Sequence, residues 1–311
     1  MSFENIVGNT KIKQELKNVA NSNAVSHSYL FVGEEGIGKK QIAREFAKMI
    51  LCLSQEKEKC NQCDSCIKFI SNNNPDFIEI SEDGNSIKIA QIRELQEKIY
   101  QKPIVSSKKV VIIDNSEKMT EEAQNSLLKT LEEPPEYIVI ILITSNENKL
   151  LNTIKSRCLK LSFVNIDNKE MLEYIDKNQD IQKPSQSILE LSNGSIGRLI
   201  KINDNIEEYN QVDGITKDMI NSNIRNVVKL INQYEVLYKS KEIIFDLLDY
   251  MIAIVYSHIK KNADYRSKFI NIIGIINNAK TKLNSNTNYD MCIDEMLFKI
   301  WEEIDENNSR S

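Results

Sequence analysis

Residues 1–165 predict a mostly parallel β-sheet with helices packed on both faces, and residues 166–311 predict helices alone. Three observations carry this reading. Short apolar runs alternate with segments of helical periodicity as far as about Val164, the order in which parallel strands and crossover helices follow one another. All five prolines fall at or before Pro184, so the last 127 residues contain none, which suits long helices. Tyr137-Ile-Val-Ile-Ile-Leu-Ile143 is an uninterrupted apolar run that fits a strand buried on both faces. It is far shorter than the ~20 residues a membrane span requires.

Taken in order, Ser28-Tyr-Leu-Phe-Val32 predicts a first strand that ends in a glycine-rich turn. Lys39 to Leu53 then places Ile42, Ala43, Phe46, Ile50 and Leu53 at helical spacing. Phe77-Ile-Glu-Ile80 is a second strand. Ile89, Ile92, Leu95 and Ile99 mark a helix closed off by Pro103. Val110-Val-Ile-Ile113 is a third strand, and Ala123, Leu127 and Leu131 form a helical face that stops at Pro134-Pro135. The run from Tyr137 to Thr144 and the alternating Leu159, Leu161 and Phe163 complete the sheet.

Beyond it, residues 166–205 read as a small helical unit. Asp167-x-x-Glu170 fits a capping box, Ser185 caps a second helix stopped by Asn193-Gly194, and Gly197-Arg198 opens a third apolar segment. Residues 206–311 hold only Gly214 and Gly274, and Val227, Val228, Leu230, Ile231 and Leu237 recur at helical intervals. Ile243 to Ile259 is the most apolar helix, but Asp246 and Asp249 interrupt it, so a bundle helix fits better than a membrane one.

The length of 311 residues suits two or three domains at ~150 residues each. With 41% hydrophobic and 27% charged residues, collagen-like, disordered and disulfide-scaffold classes are excluded. Met1-Ser-Phe-Glu-Asn carries neither a basic nor an apolar export region, so a cytoplasmic location without a membrane is expected. Residues 1–165 carry 22 Lys and Arg against 22 Asp and Glu; residues 166–311 carry 18 against 23, which supplies the whole net charge of −5. Gripping nucleic acid alone draws on a basic surplus, and the totals show none.

Gly33-Glu-Glu-Gly36-Ile-Gly38-Lys39-Lys40 matches G-x-x-x-x-G-K-[ST] at every fixed position except the last. Glycines there let backbone N–H groups converge on phosphate oxygens, the helix start adds partial positive charge, and the lysine reaches the outer phosphates. The final hydroxyl ordinarily ligates Mg²⁺, whereas Lys40 is an ammonium that repels a metal. Val110-Val-Ile-Ile-Asp114 ends a strand in an acid, the layout that holds magnesium-bound water beside such a loop. The next residue, Asn115, is an amide that cannot take up a proton usefully. Loss of the metal ligand weakens hydrolysis more than binding. The bland alternative is a glycine-rich turn with no ligand at all.

Cys52, Cys60, Cys63 and Cys66 form a C-x7-C-x2-C-x2-C cluster. Zn²⁺ takes four thiolates in a tetrahedron, and C-x2-C spacing brings two sulfurs from one tight turn to the same ion. With no position left for water, the expected site is a structural zinc inserted at 52–66. An iron–sulfur cluster and incidental free cysteines are the alternatives. Cys158 and Cys292 are isolated and read as small apolar core residues.

Together these residues resemble the clamp loader family of bacterial DNA polymerase III, AAA+ proteins that include the delta-prime and gamma/tau subunits. Besides the two motifs above, the stretches that carry the likeness are His27-Ser-Tyr-Leu-Phe, Asn125-Ser-Leu-Leu-Lys-Thr-Leu-Glu-Glu-Pro-Pro135, Ile143-Thr-Ser, Ile154-Lys-Ser-Arg-Cys158 and Gly194-Ser-Ile-Gly-Arg198. They span residues 27 to 198; the C-terminal third is similar only in length and helical character. The resemblance implies an AAA+ P-loop domain at 1–165, a helical lid at 166–205 and an all-helical collar at 206–311.

It also implies that Arg157 of Ser156-Arg157-Cys158 is an arginine finger given to the ATP of an adjoining subunit, although an exposed arginine paired with a carboxylate is its ordinary fate. Thr144-Ser145-Asn146 and Arg198 fall at the family's two nucleotide sensors; short polar residues and a helix-capping arginine are the plain readings. Gly33, Gly36, Gly38, Lys39, Lys40, Asp114 and Arg198 then form a degenerate nucleotide site that binds ATP weakly or not at all. Active members commonly keep Thr or Ser at position 40 and Glu at 115, so Lys40 and Asn115 favour the non-hydrolysing delta-prime type over an active gamma/tau-like ATPase. The implied partners are gamma/tau and delta subunits in a five-subunit arc, and through it the sliding clamp and primed DNA, with DNA polymerase activity in another subunit. A zinc-dependent nucleic-acid module is the remaining reading, against which the charge balance stands.

Overall fold

The structure, a computed structural model, describes residues 3–22, 24–55, 57, 60–178, 181, 184–220, 234–261, 266–285 and 287–308. These residues fall into two compact units, one of 1–177 with 194–198 and one of 178–193 with 199–311. Val227, Val228, Leu230 and Ile231 lie outside the described residues.

The first unit runs α1 (Thr10–Ser22), β1 (Ser28–Val32), α2 (Lys39–Leu51), α3 (Asp64–Ile70), β2 (Phe77–Ile80) and α4 (Ile89–Ile99). It continues with β3 (Lys109–Ile113), α5 (Glu121–Glu132), β4 (Ile138–Thr144), α6 (Asn152–Lys155), β5 (Leu159–Ser162) and α7 (Asn168–Lys177). The strands form one sheet in the order β2-β3-β4-β1-β5, every pair parallel. Ser28 pairs with Ile140 and Phe77 with Val110, so the C-terminal ends of β1, β4, β3 and β2 share one edge. The α/β fold expected for this part is the one present.

Alternation along each strand divides the core. Tyr29, Phe31, Val110, Ile112, Val139 and Ile141 face α1 and α2, where Leu16, Ile42 and Phe46 are buried. Leu30, Val111, Ile113, Ile140 and Leu142 face α4 and α5, where Ile92, Leu95, Ala123 and Leu127 are buried. All seven residues of β4 are buried, because both faces of that central strand are covered. The helix α1 is absent from the elements expected above; Ile12, Leu16, Val19 and Ala20 hold the spacing that marks it.

One buried carboxylate ties this unit together. Asp76, without solvent exposure, accepts from the backbone N–H groups of Ile104, Val105 and Ser106, each at 2.7 Å. Ser106 Oγ donates to Leu51 O at 2.7 Å and lies 3.0 Å from Ser65 Oγ. The Asp76→Ala change removes three hydrogen bonds from part-buried N–H groups to a charged acceptor, a kind worth about 1.5–3 kcal/mol each. A thermal melt of the variant is therefore expected to show a loss of about 3 kcal/mol or more.

The α-helices described in the second unit, which has no described strand, are α8 (Gln186–Ser192), the end of α9 (Ile196–Asp204), α10 (Ile206–Ile220), α11 (Glu235–Lys239), α12 (Ile244–Lys261), α13 (Arg266–Asn284) and α14 (Tyr289–Asn308). Ser185 Oγ caps α8 by accepting from Ile188 N, and left-handed Asn193 ends it. The apolar helix α12 packs on α8, α10 and α13, and buries Leu247, Leu248, Met251 and Val255. Asp249 on it pairs with Lys280 of α13. It is a bundle helix. Among the described residues no helix is long and apolar enough to cross a membrane.

Candidate functional site

Parallel strands deliver their C-terminal ends to one edge, and the phosphate-loop residues lie there. Gly33 N donates to Thr144 O of the adjacent β4 at 3.3 Å. Gly36 and Gly38 take φ values of +79° and +91°, a left-handed backbone that side chains disfavour, and Gly38 opens α2. Ile37 between them is buried and anchors the loop to the core. Lys39, itself buried, donates from Nζ to Gly33 O and Glu34 O, both at 2.6 Å. Burial lowers its pKa, and the nearby charges of Glu117 and Asp114 oppose that shift.

The stretch Gly194–Arg198 sits on this loop within the first unit. Gly197 N donates to Gly36 O at 2.9 Å, Ser195 Oγ donates to Glu35 O at 2.9 Å, and Arg198 N donates to Ser195 Oγ at 3.1 Å. A Cβ on Gly197 would come within 2.8 Å of Gly36 Cα, so the close approach requires glycine there. The Arg198 side chain is half-buried.

Magnesium, which a loop of this kind ordinarily binds between a hydroxyl and the β3 acid, does not fit these residues. The Lys40 ammonium lies 2.8 Å from Glu79 Oε1 at the end of β2 and 3.1 Å from Asp114 Oδ2 after β3. Arg44, one turn along α2, pairs with the other Glu79 oxygen. Burial alone would lower the Lys40 pKa, but its bonds to Glu79 and Asp114 more than offset this and raise it. Asn115, at φ +49°, turns its amide toward Glu82, with Nδ2 3.1 Å from Oε2. The Lys118 ammonium beside Glu82, aided by that amide, holds the Glu82 carboxyl down at about 2.

At the end of β4, Thr144 is buried, and Ser145 donates its hydroxyl to Glu117 Oε1. Asn146 Oδ1 accepts from Asn148 N at 3.1 Å, so it serves as a turn cap. Arg157 lies far from these groups. Its carbonyl accepts from Ser28 Oγ at 2.6 Å, at the start of β1, whereas Gly33 follows the end of that strand. Five strand residues separate the two by roughly 16 Å. Its guanidinium holds Glu132 Oε1 at 2.6 Å and Thr153 O at 2.9 Å. Glu79, Arg44 and Glu117 were not among the residues expected at the site; they belong to it through strand register and helix packing, which local spacing does not reveal, as it does not reveal the pairing of Glu132 with Arg157.

The four cysteines are gathered. Cys52 ends α2, Cys63 caps α3 by accepting from Cys66 N at 3.4 Å, and the four sulfurs lie within 4.8 Å of one another. A tetrahedral zinc with Zn–S bonds of about 2.3 Å has sulfurs ~3.8 Å apart, so the cluster is compatible with zinc. Backbone N–H groups of Gln62 and Cys63 lower the Cys60 thiol to about 6, while burial raises Cys52 to about 11 and Cys66 further. Four thiols this close together, two of them buried, suit a cation that takes their protons' place.

A family model described as DNA polymerase III, delta subunit, matches residues 8–167. The chain is 33% identical over 231 residues to the DNA polymerase III subunit delta' of Bacillus subtilis, covering 74% of this chain and 65% of that protein. It is also 33% identical over 215 residues to the DNA polymerase III subunit gamma/tau of Mycoplasma pneumoniae, covering 67% of this chain and 31% of that protein. A gamma subunit-related protein of Thermotoga maritima aligns over 93% of this chain and 99% of its own, at 18% identity and a TM-score of 0.46. With the family model spanning half of the residues, and its match covering both the phosphate loop and the cysteine cluster, the chain belongs to the clamp loader subunit family of DNA polymerase III.

Proposed function

We propose that this chain is a non-hydrolysing clamp loader subunit of the delta-prime type, which lends Arg157 to the ATP held by a neighbouring gamma/tau subunit. It works in a five-subunit arc with gamma/tau and delta, joined through residues 206–311, that places the sliding clamp on primed DNA. Residues 1–165 are its AAA+ domain and 166–205 its lid. Cys52, Cys60, Cys63 and Cys66 hold a structural zinc.

The observation that carries the reading is the position of Arg157, at the start of the sheet while the phosphate loop lies at its end. No side chain spans that distance, so a nucleotide served by this guanidinium would have to be held by another chain, which supports a role in trans. Lys40 supports the other half of the reading. An ammonium between Asp114 and Glu79 leaves no place for the dication that stabilises charge as the outer phosphates separate. Asn115, turned to Glu82, offers no base for the attacking water.

The purified chain is therefore expected to show no magnesium-dependent ATPase activity above a Lys39→Ala control. The similar identity to gamma/tau subunits favours a second reading, an active ATPase. Hydrolysis by the purified chain that Lys39→Ala abolishes would establish it instead.

A further inference from the structure

The misfit of magnesium has a positive counterpart. We propose that the phosphate loop binds the phosphate chain of a nucleotide without a divalent metal, with Lys40 acting as a tethered cation in place of the ion.

The geometry supplies each part. An ammonium has three N–H donors. Lys39 directs two of them to Gly33 O and Glu34 O, which fixes its Nζ across the loop and leaves one for a phosphate oxygen. Lys40 directs two to Glu79 and Asp114 and likewise leaves one. Its side chain is 45% exposed, so a phosphate can approach it from solvent. The two lysines are adjacent in the first turn of α2, where backbone N–H groups 38–40 also lack intrahelical acceptors.

The charge balance points the same way. Without Lys40, the Asp114 carboxylate would repel an incoming phosphate, and offsetting the charge of that β3 acid is the ordinary task of the metal. Lys40 performs it with a charge that never dissociates, and its raised pKa keeps it protonated through neutral pH. A dication entering the same place would meet that ammonium at close range and be repelled. The loop is also held in shape by its own chain, since Gly197 N and Ser195 Oγ fix the carbonyls of Gly36 and Glu35. Little ordering remains to be done when a ligand arrives.

The test is equilibrium dialysis of the full chain with ATP, in magnesium-free buffer prepared without chelator so that the cysteine cluster is undisturbed, and again with excess magnesium. ATP is expected to bind in the magnesium-free buffer, and excess magnesium to weaken binding at least threefold. Inorganic tripolyphosphate is expected to displace ATP, because the recognised element is the phosphate chain. Lys40→Thr, checked for folding by circular dichroism, is expected to lose at least tenfold in magnesium-free affinity and to bind more tightly when magnesium is added.

Absence of binding without magnesium, tighter binding by the unaltered chain when magnesium is added, or failure of tripolyphosphate to compete would each overturn the proposal. So would a folded Lys40→Thr chain that binds unchanged. The unaltered chain alone decides the matter should the variant not fold. The measurement involves neither hydrolysis nor a neighbouring subunit, so its outcome is separate from that of the Arg157 reading.

Discussion

Replacing Arg157 by alanine is expected to slow hydrolysis about 10³-fold or more at the one ATP site it serves, the range for a finger supplied in trans. A guanidinium fork given in trans meets charge spreading over the transferring phosphoryl oxygens, an interaction that strengthens only as the transition state forms. The measurement is the DNA- and clamp-stimulated ATPase of a reconstituted loader, followed in a single turnover so that the slowed site separates from the others. Turnover equal to that of the unaltered loader would remove the role. The Arg157→Lys change is expected to be nearly as slow as the alanine one, because a point charge lacks the planar fork. Stability should barely change. The bond to Glu132 is an exposed ion pair, the kind worth about 0–1 kcal/mol. A rate lost without a melting shift therefore distinguishes a finger from a surface strut.

The second large effect belongs to the cysteines. Protein purified without chelator is expected to carry about one zinc per chain by metal analysis; much less than that would refute the metal site. Cys60→Ser is the most informative change, since Cys60 is only half-buried and its replacement disturbs little packing. A structural zinc contributes about 10–16 kcal/mol of apparent binding energy, coupled to folding. Losing one of four thiolates should release the ion and cost several kcal/mol. At about 2–4 °C per kcal/mol for a unit of this size, the first unit is expected to melt roughly 10 °C or more lower. A surface change at Ile67, exposed on α3 just past the last cysteine, should leave the melt within a degree or two and serves as the control.

What can be read from residues alone follows from how local each signal is. The five strands and the helices α2, α4 and α5 are legible because apolar period and proline punctuation lie within a few residues of each other; α5 ends at Glu132, just before Pro134-Pro135, whereas the short α3 and α6 carry too few residues to show a period. The cysteine cluster is legible for the same reason, within fifteen residues from Cys52 to Cys66. By contrast, Lys40 and Glu79 are 39 positions apart in the chain and meet only because β2 lies beside β3 in a register that places Ile80 opposite Ile113. Sequence shows that Lys40 repels a metal; sheet order shows what it attracts. Glu132 and Arg157 meet in the same way, through the end of α5 and the turn after α6. Helix α1 escapes a sequence reading because its polar residues outnumber a narrow stripe of Ile12, Leu16, Val19 and Ala20.

The carboxylate of Asp76 joins two regions usually considered apart. Its three N–H partners occupy the loop before β3, and that loop bonds through Ser106 to Leu51, which precedes Cys52, and to Ser65, which lies between Cys63 and Cys66. Loosening the cysteine module therefore removes outer supports from amides that have no sulfur near them. Were an ion held there, deuterium uptake at Ile104, Val105 and Ser106 would be a remote gauge of its occupancy, expected to rise on chelation, and it can be followed without modifying a single thiol.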